Sequence, residues 1–213
     1  GAFILPAHND LFAPGLEGFL AKGPFARASW SRRVRPGSPE SLRAWSRAAL
    51  FELLYHAVAV VHRACGGGVG EPVSVATRGV SVPEFLRAVV AFGSNEAELV
   101  LDFASNADEL VVTAGREGTE AWRRAGREVT VIHGATSLPV QADGSDTERM
   151  LAHFRDAVLG KAKPAVTLAD ALEVQRTTRK LVDAVEASGV PLERPNAPKH
   201  VASRPEAHVR PPA

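Results

Sequence analysis

Leu86-Arg87-Ala88-Val89-Val90-Ala91-Phe92-Gly93-Ser94-Asn95-Glu96-Ala97-Glu98-Leu99-Val100-Leu101-Asp102-Phe103 is the stretch on which the fold turns. Two apolar runs, residues 86–92 and 97–103, flank a Gly-Ser-Asn cluster, the pattern of two strands joined by a turn. Further strand-like runs lie at 73–80 before them and at 109–114 and 128–133 after them, separated by turns rich in Gly, Ser, Asn and Asp. Parallel neighbours need long crossovers, so four or five strands in succession without helices between them predict a mostly antiparallel sheet in an α+β domain.

Helices are expected on either side of this block. Upstream, residues 1–7 form a compact apolar run closed by Pro6 and Asn9-Asp10, the reading of a short buried strand. Leu16, Phe19 and Leu20 then recur at helical spacing between Pro14 and Gly23-Pro24, and residues 25–33 alternate as a strand does. Ser38-Pro39-Glu40 carries an N-cap, a first-turn proline and an acid, and predicts a helix running to about Cys65. Downstream, Ser145 and Glu148 are spaced as a capping box ahead of Met150, Leu151, Phe154, Val158 and Leu159. Thr167 and Asp170 repeat that device ahead of Leu168, Leu172, Leu181, Val182 and Val185, with Gly189 as the stop. Residues 1–190 are therefore expected to form one domain, and 191–213, with six prolines, an extended tail.

Composition narrows the function classes. A net charge of +1 over 213 residues provides no basic field for nucleic acid or for a membrane surface. The apolar run 55–65 is broken by His56, His62 and Arg63 and is shorter than the roughly 20 residues of a membrane span. A single cysteine makes no internal disulfide, and with the neighbouring histidines it does not complete a zinc site, so a reducing, cytoplasmic setting is expected. The chain starts at Gly1 and not at Met, which points to a cut or processed start.

Three places invite a chemical reading. Gly66-Gly67-Gly68-Val69-Gly70 is glycine-rich, yet a helix precedes it and the strand-like Glu71-Pro72-Val73-Ser74-Val75 follows. A dinucleotide fingerprint has the opposite order, so a plain helix-to-strand turn is expected. Glu52 and His56 stand four apart on the long helix, close enough to interact. Roughly 1.6 such pairs are expected by chance in this composition, but a helix apolar around most of its circumference should bury both groups partly. The pair then reads either as an acid/base centre or as a satisfied structural hydrogen bond. His8 and Asn9 sit where the first strand ends, a common place for a cleft, in what is also ordinary turn chemistry; Trp45 and Ala49 share the flank of the helix that carries the pair. Cys65, at a helix C-terminus with no base beside it, is not expected to be a nucleophile. His62 and His133 read as packed or exposed singletons, and Trp122-Arg123-Arg124 as a solvated loop.

The order of these segments resembles a family. His8-Asn9-Asp10-Leu11-Phe12-Ala13-Pro14 after an opening strand, then Gly23-Pro24-Phe25-Ala26-Arg27, is similar to the stretch of the Gfo/Idh/MocA oxidoreductases that leads out of their nucleotide-binding domain. Phe51-Glu52-Leu53-Leu54-Tyr55-His56-Ala57-Val58 resembles the family helix that bears an aspartate, a glycine and a histidine; Glu52 falls at the aspartate, Leu54 at the glycine and His56 at the histidine. His153-Phe154, then Gly160-Lys161-Ala162-Lys163-Pro164, Leu168-Ala169-Asp170-Ala171-Leu172 and Ala187-Ser188-Gly189 resemble its closing pair of helices.

The resemblance implies an α+β C-terminal domain with a large antiparallel sheet, helices on one face and a homo-oligomer through the sheet. It implies hydride transfer between NAD(P) and a sugar, polyol or related hydroxyl or carbonyl compound. His56 and Glu52 would be the catalytic pair, with Asn9, His8, Tyr55 and Trp45 on the substrate. Neither the family's glycine turn nor its Glu-Lys-Pro lysine is present, and Lys163-Pro164 precedes the last helix with Ala162 in place of the acid. NAD(P) is therefore not expected to bind this chain alone, but only when a nucleotide-binding domain or partner chain completes it. A cofactor-free elimination, isomerisation or cyclisation, and a non-catalytic scaffold, are the alternatives.

Overall fold

A computed structural model describes residues 9–35, 46–78, 84–115, 120–141 and 143–189. The chain enters as a 3-10 turn, Asn9–Phe12, followed by the short helix α1 (Leu16–Leu20) and strand β1 (Arg27–Arg33). Helix α2 (Arg47–Cys65) leads to three strands, β2 (Glu71–Arg78), β3 (Phe85–Phe92) and β4 (Asn95–Asp102). Four more follow, β5 (Glu109–Ala114), β6 (Glu120–Ala125), β7 (Glu128–His133) and β8 (Thr136–Val140), and then α3 (Asp146–Val158) and α4 (Leu168–Ala187). The fold class is α+β, as the strand succession predicts. The expected opening strand at residues 1–7 and the tail at 191–213 lie outside the described residues.

The described strands form one sheet in the order β2-β3-β4-β1-β5-β6-β7-β8. Every pairing is antiparallel except β1 with β4, which runs Arg27↔Glu96 to Arg33↔Asp102 in parallel. That pair needs a crossover, and α2 lies within it, packed over β1 and β4. Both edge strands carry a proline, Pro72 in β2 and Pro139 in β8, where a missing N–H costs no ladder bond. Register shifts between Pro72 and Ser74, leaving Val73 unpaired and largely exposed.

Alternation assigns the two faces. Trp30, Leu86, Val90, Leu99, Val112 and Trp122 point to one side and are buried there, with Leu50, Leu54, Ala57, Val58 and Val61 of α2 in the same core. At 19 residues α2 is long and apolar enough to cross a membrane by length and composition, which the sequence reading did not anticipate. It is the core helix of this domain, packed between the sheet and α4.

Local chemistry explains the helix ends, with one correction. Both expected capping boxes form, Ser145 with Glu148 and Thr167 with Asp170. The helix expected from Ser38 instead starts after Ser46, whose extended backbone (φ −78°, ψ 144°) breaks any continuation and whose hydroxyl accepts from Ala49 N–H at 3.1 Å. Ser38, Pro39 and Glu40 lie outside the described residues. At the other end Gly66 adopts φ 89° and closes α2. Gly70 is needed for a close approach, because a Cβ there would meet Val90 Cγ1 at 2.6 Å and Thr177 Cγ2 at 2.8 Å.

Two strands escaped the sequence reading. Residues 122–124, taken as a solvated loop, belong to β6; Trp122 is fully buried and its indole N–H donates to Pro14 O at 2.7 Å. The adjacent arginines hid an alternating strand, in which Arg123 faces outward to Glu109. Strand β8, Thr136-Ser137-Leu138-Pro139-Val140, is short, interrupted by a proline and almost wholly exposed, so it carries little strand signal.

Candidate functional site

His56 lies midway along α2, half-buried, with Tyr55 edge-on at 6.3 Å between ring centroids and Phe51 stacked on Tyr55 at 6.1 Å. Burial raises the Tyr55 hydroxyl above its ordinary pKa. The structure therefore brings together His56 and Tyr55 of the sequence-derived set. Glu52 does not join them. Its side chain is exposed, and among the described residues it makes no hydrogen bond or ion pair, so the expected Glu52–His56 pair does not form. The reason lies in the core face of α2: Leu50, Leu54, Ala57 and Val61 set the helix's rotation, and Glu52 is left on the solvent side. Asn9 belongs to the 3-10 turn that packs beside α2, while His8 and Trp45 lie outside the described residues.

The acid that faces His56 is Asp10 of that turn, with Oδ2 3.9 Å from Nδ1. His56 Nδ1 is itself buried and has no hydrogen-bond partner among the described residues. Arg124 stands on the far side of Asp10, its Nη2 3.8 Å from Oδ1, and its Nη1 donates to Asp146 Oδ2 at 2.6 Å. Asp146 Oδ1 then accepts from Arg149 Nη2 at 2.7 Å, and Arg149 Nε donates to Phe12 O at 2.6 Å. Positive and negative groups thus alternate from α3 through β6 and the 3-10 turn to His56. Asp10 and Arg124 went unread as site residues because nothing local ties them to α2. The one available signal was the alternation around Trp122, which would have placed Arg124 on a strand.

A second cluster closes the end of α2. His62, expected as a singleton, is buried and its Nε2–H donates to Glu173 Oε2 at 2.9 Å; the same oxygen accepts from Gly68 N–H at 2.9 Å. These two hydrogen bonds hold the Glu173 carboxyl below the usual carboxylate range. Burial opposes ionisation of Asp170, but hydrogen bonds from the Thr167 N–H and hydroxyl and the charges of His62 and Arg63 outweigh it, so Asp170 also lies low. His62, Asp170 and Glu173 offer ligand atoms within 4.8 Å of one another. Glu173 and Asp170 are committed to Gly68 and to the Thr167 cap, as a latch between the glycine turn and α4 requires. Beside the latch is a cavity of about 260 Å³, lined by Leu11, Ala59, His62, Arg63, Asp170 and Val174 among others. Its lining includes Ala59, one helical turn beyond His56, and Leu11, which follows Asp10, but neither His56 nor Asp10. Cys65 is buried, and its thiol is pushed up to about 11 by burial, in keeping with a non-nucleophilic role.

No protein-family model matches the sequence, and no curated protein matches it. Solved structures do match. A dehydrogenase (MviM) from Clostridium difficile aligns over 84% of this chain and 61% of its own, with a TM-score of 0.65 at 13% identity. For UDP-N-acetylglucosamine 3-dehydrogenase from Acidithiobacillus ferrooxidans the values are 84%, 59%, 0.59 and 15%. For a Gfo/Idh/MocA family oxidoreductase from Vibrio cholerae they are 86%, 61%, 0.61 and 11%. The fold is that of part of a Gfo/Idh/MocA oxidoreductase. At these identities the likeness is one of fold, and the chain spans 59–61% of the length of those structures.

A pyrophosphate such as that of NAD(P) would need free backbone donors at a glycine turn. Gly67 N–H donates to His62 O at 2.8 Å, Gly68 N–H to Glu173, and Gly70 N–H to Thr177 Oγ1 at 2.7 Å. These three donors are spent, and the Glu173 carboxylate sits where an anion would meet Gly68. This turn does not fit the cofactor.

Proposed function

We propose that this chain is the substrate-binding C-terminal half of a Gfo/Idh/MocA-type oxidoreductase acting on a sugar, polyol or related hydroxyl or carbonyl compound. NAD(P) is held by a nucleotide-binding domain or partner outside the described residues, and no step of its chemistry belongs to this chain. The single observation that carries the reading is His56, held on α2 of this fold with one ring nitrogen buried and the ring still a quarter exposed. Such a residue can exchange a proton with a substrate hydroxyl at Nε2 while Nδ1 faces the protein. A cavity of about 260 Å³ lies farther along α2, beside the His62 latch; it is a little below the usual range of small-molecule sites, about 300 to 1,000 Å³, and His56 does not line it.

A second reading rests on the fact that His56 and its acid, Asp10, come from one chain. A reaction needing proton transfer alone, such as elimination, isomerisation or cyclisation, would need no nucleotide. Under either reading the protein works in the cytoplasm as a homo-oligomer. Its contact is the open sheet face, where Val89, Ala91, Val100 and Val111 lie half-buried between the Arg87–Glu98 and Arg33–Glu109–Arg123 ion pairs.

The test is an NMR titration of the chain with a panel of polyols, aldoses and sugar nucleotides, with NAD(P) in parallel. A member of the panel should shift the His56 ring signals, and NAD(P) should leave the spectrum unmoved. Silence from the whole panel, or micromolar binding of NAD(P) to the chain alone, overturns the first reading. Conversion of a bound ligand without nucleotide establishes the second.

A further inference from the structure

We infer that Asp10, and not Glu52, positions His56 for proton transfer, and that Arg124 competes with His56 for Asp10. The inference rests on the proton role given to His56 above, but its evidence is separate. A buried imidazole nitrogen without a partner is uncommon and costs free energy until it is satisfied. The nearest acid is Asp10, whose Oδ2 at 3.9 Å stands about 1 Å beyond hydrogen-bond reach. Its other oxygen lies almost equally far, 3.8 Å, from Arg124 Nη2. Asp10 is thus balanced between two claimants, and a small rotation of its carboxylate decides which one it serves.

The competitor is itself fixed. Arg124 is anchored to Asp146, and Asp146 to Arg149. The turn that carries Asp10 is pinned by Arg149 to Phe12 O and by Trp122 to Pro14 O. These contacts leave the carboxylate of Asp10 as the moving part. Turned toward His56, it accepts from Nδ1–H. That fixes the proton on Nδ1 and leaves the lone pair on Nε2, the form able to take a substrate proton. When the proton arrives, the ring becomes imidazolium and the nearby carboxylate stabilises it without being protonated itself. Turned toward Arg124, Asp10 leaves the tautomer unset. Glu52, exposed and without a partner, has no part in this choice.

The tautomer can be read without knowing the substrate. On the intact chain labelled with ¹⁵N-histidine, recorded with the imidazole ring neutral, the two-bond nitrogen–proton spectrum of His56 should show the Nδ1–H form. Asp10→Ala should return it to the Nε2–H form that free imidazoles favour, Arg124→Gln should strengthen the Nδ1–H signature, and Glu52→Gln should change nothing. Melting curves identify any variant that fails to fold. If Asp10→Ala is among them, Arg124→Gln reads the same equilibrium from the other side. An Nε2–H signature in the wild type, no response to either folded variant, or a response to Glu52→Gln overturns the inference. A ligand panel that leaves His56 unmoved would defeat the functional reading while leaving this result intact. With a substrate in hand, Asp10→Ala should lower kcat by about 10- to 1,000-fold with little change in KM, and Asp10→Glu should recover part of the loss.

Discussion

Helix α2 carries two histidines whose surroundings are opposites. His62, in its last turn, is buried with Nε2 2.9 Å from a carboxylate that also takes the Gly68 N–H. His56, nearly two turns earlier, has a buried nitrogen with no partner and an acid 3.9 Å away that is shared with Arg124. One set of hydrogen bonds is complete and the other is left open. A satisfied buried group stabilises a fold, whereas an unsatisfied one beside a carboxylate shared with a second cation leaves a choice open. The contrast separates a latch from a candidate reaction centre on one helix, where composition alone shows two similar residues.

The largest effect that sharpens the contrast is kinetic. His56→Ala should lower turnover by about 10² to 10⁴ and move the melting temperature little, since its buried Nδ1 has no hydrogen bond among the described residues to lose. A turnover within threefold of wild type would remove His56 from the chemistry.

The matching change at the other end should act on stability. His62→Ala strips Glu173 of a partner and leaves space beside Phe92, whose ring stands edge-on at 6.1 Å. A cost of about 1–3 kcal/mol follows, or about 2–4 °C in melting temperature for each kcal/mol at this chain length. The folded fraction should keep its activity; if it did not, the two ends of α2 would be one site.

The pH dependence of the latch has a definite sign. The hydrogen bond from His62, followed by that from Gly68, holds Glu173 below its ordinary pKa in the folded state. Its stabilising contribution is therefore fully present above the ordinary glutamate value and is lost as pH falls through the depressed folded value. The groups that face it are His62, Asp170 and Gly68 N–H, with Arg63 acting on Asp170. Glu173→Gln should flatten the acid limb of a melting-temperature profile below about pH 4.5 and leave the neutral region shifted uniformly. An unchanged acid limb would place the pH sensitivity elsewhere.

What the sequence disclosed follows the same division between local and distant partners. Both capping boxes, the glycine stop of α2 and most strands were legible because their determinants lie within a few residues of one another. His56 was legible for the same reason, as a polar residue on an apolar helix. The acid that faces it was not, because Asp10 comes within 3.9 Å of it only after the 3-10 turn packs on α2; Glu173 likewise lies 111 positions from His62. The parallel pairing of β1 with β4 was equally hidden, since a strand's pattern says which face is buried and not which strand lies beside it.

The smallest predicted effect breaks the comparison most directly if it fails. Glu52 sits four residues before His56, at the position where the sequence reading placed the acid partner. In the fold its side chain is exposed, and His56 turns its buried nitrogen toward Asp10 instead. An exposed carboxylate without a partner contributes little, so Glu52→Gln should change stability by no more than about 0.5 kcal/mol. It should leave the His56 tautomer and the turnover where they were. A chemical melt beside a kcat measurement checks both. A tenfold loss of turnover at unchanged stability would mean that Glu52 swings onto His56 or onto the substrate during reaction, and would restore the i, i+4 pair as the working one. Helical spacing brings the two residues within reach, but the rotation of α2 imposed by its buried leucines aims them at different surroundings.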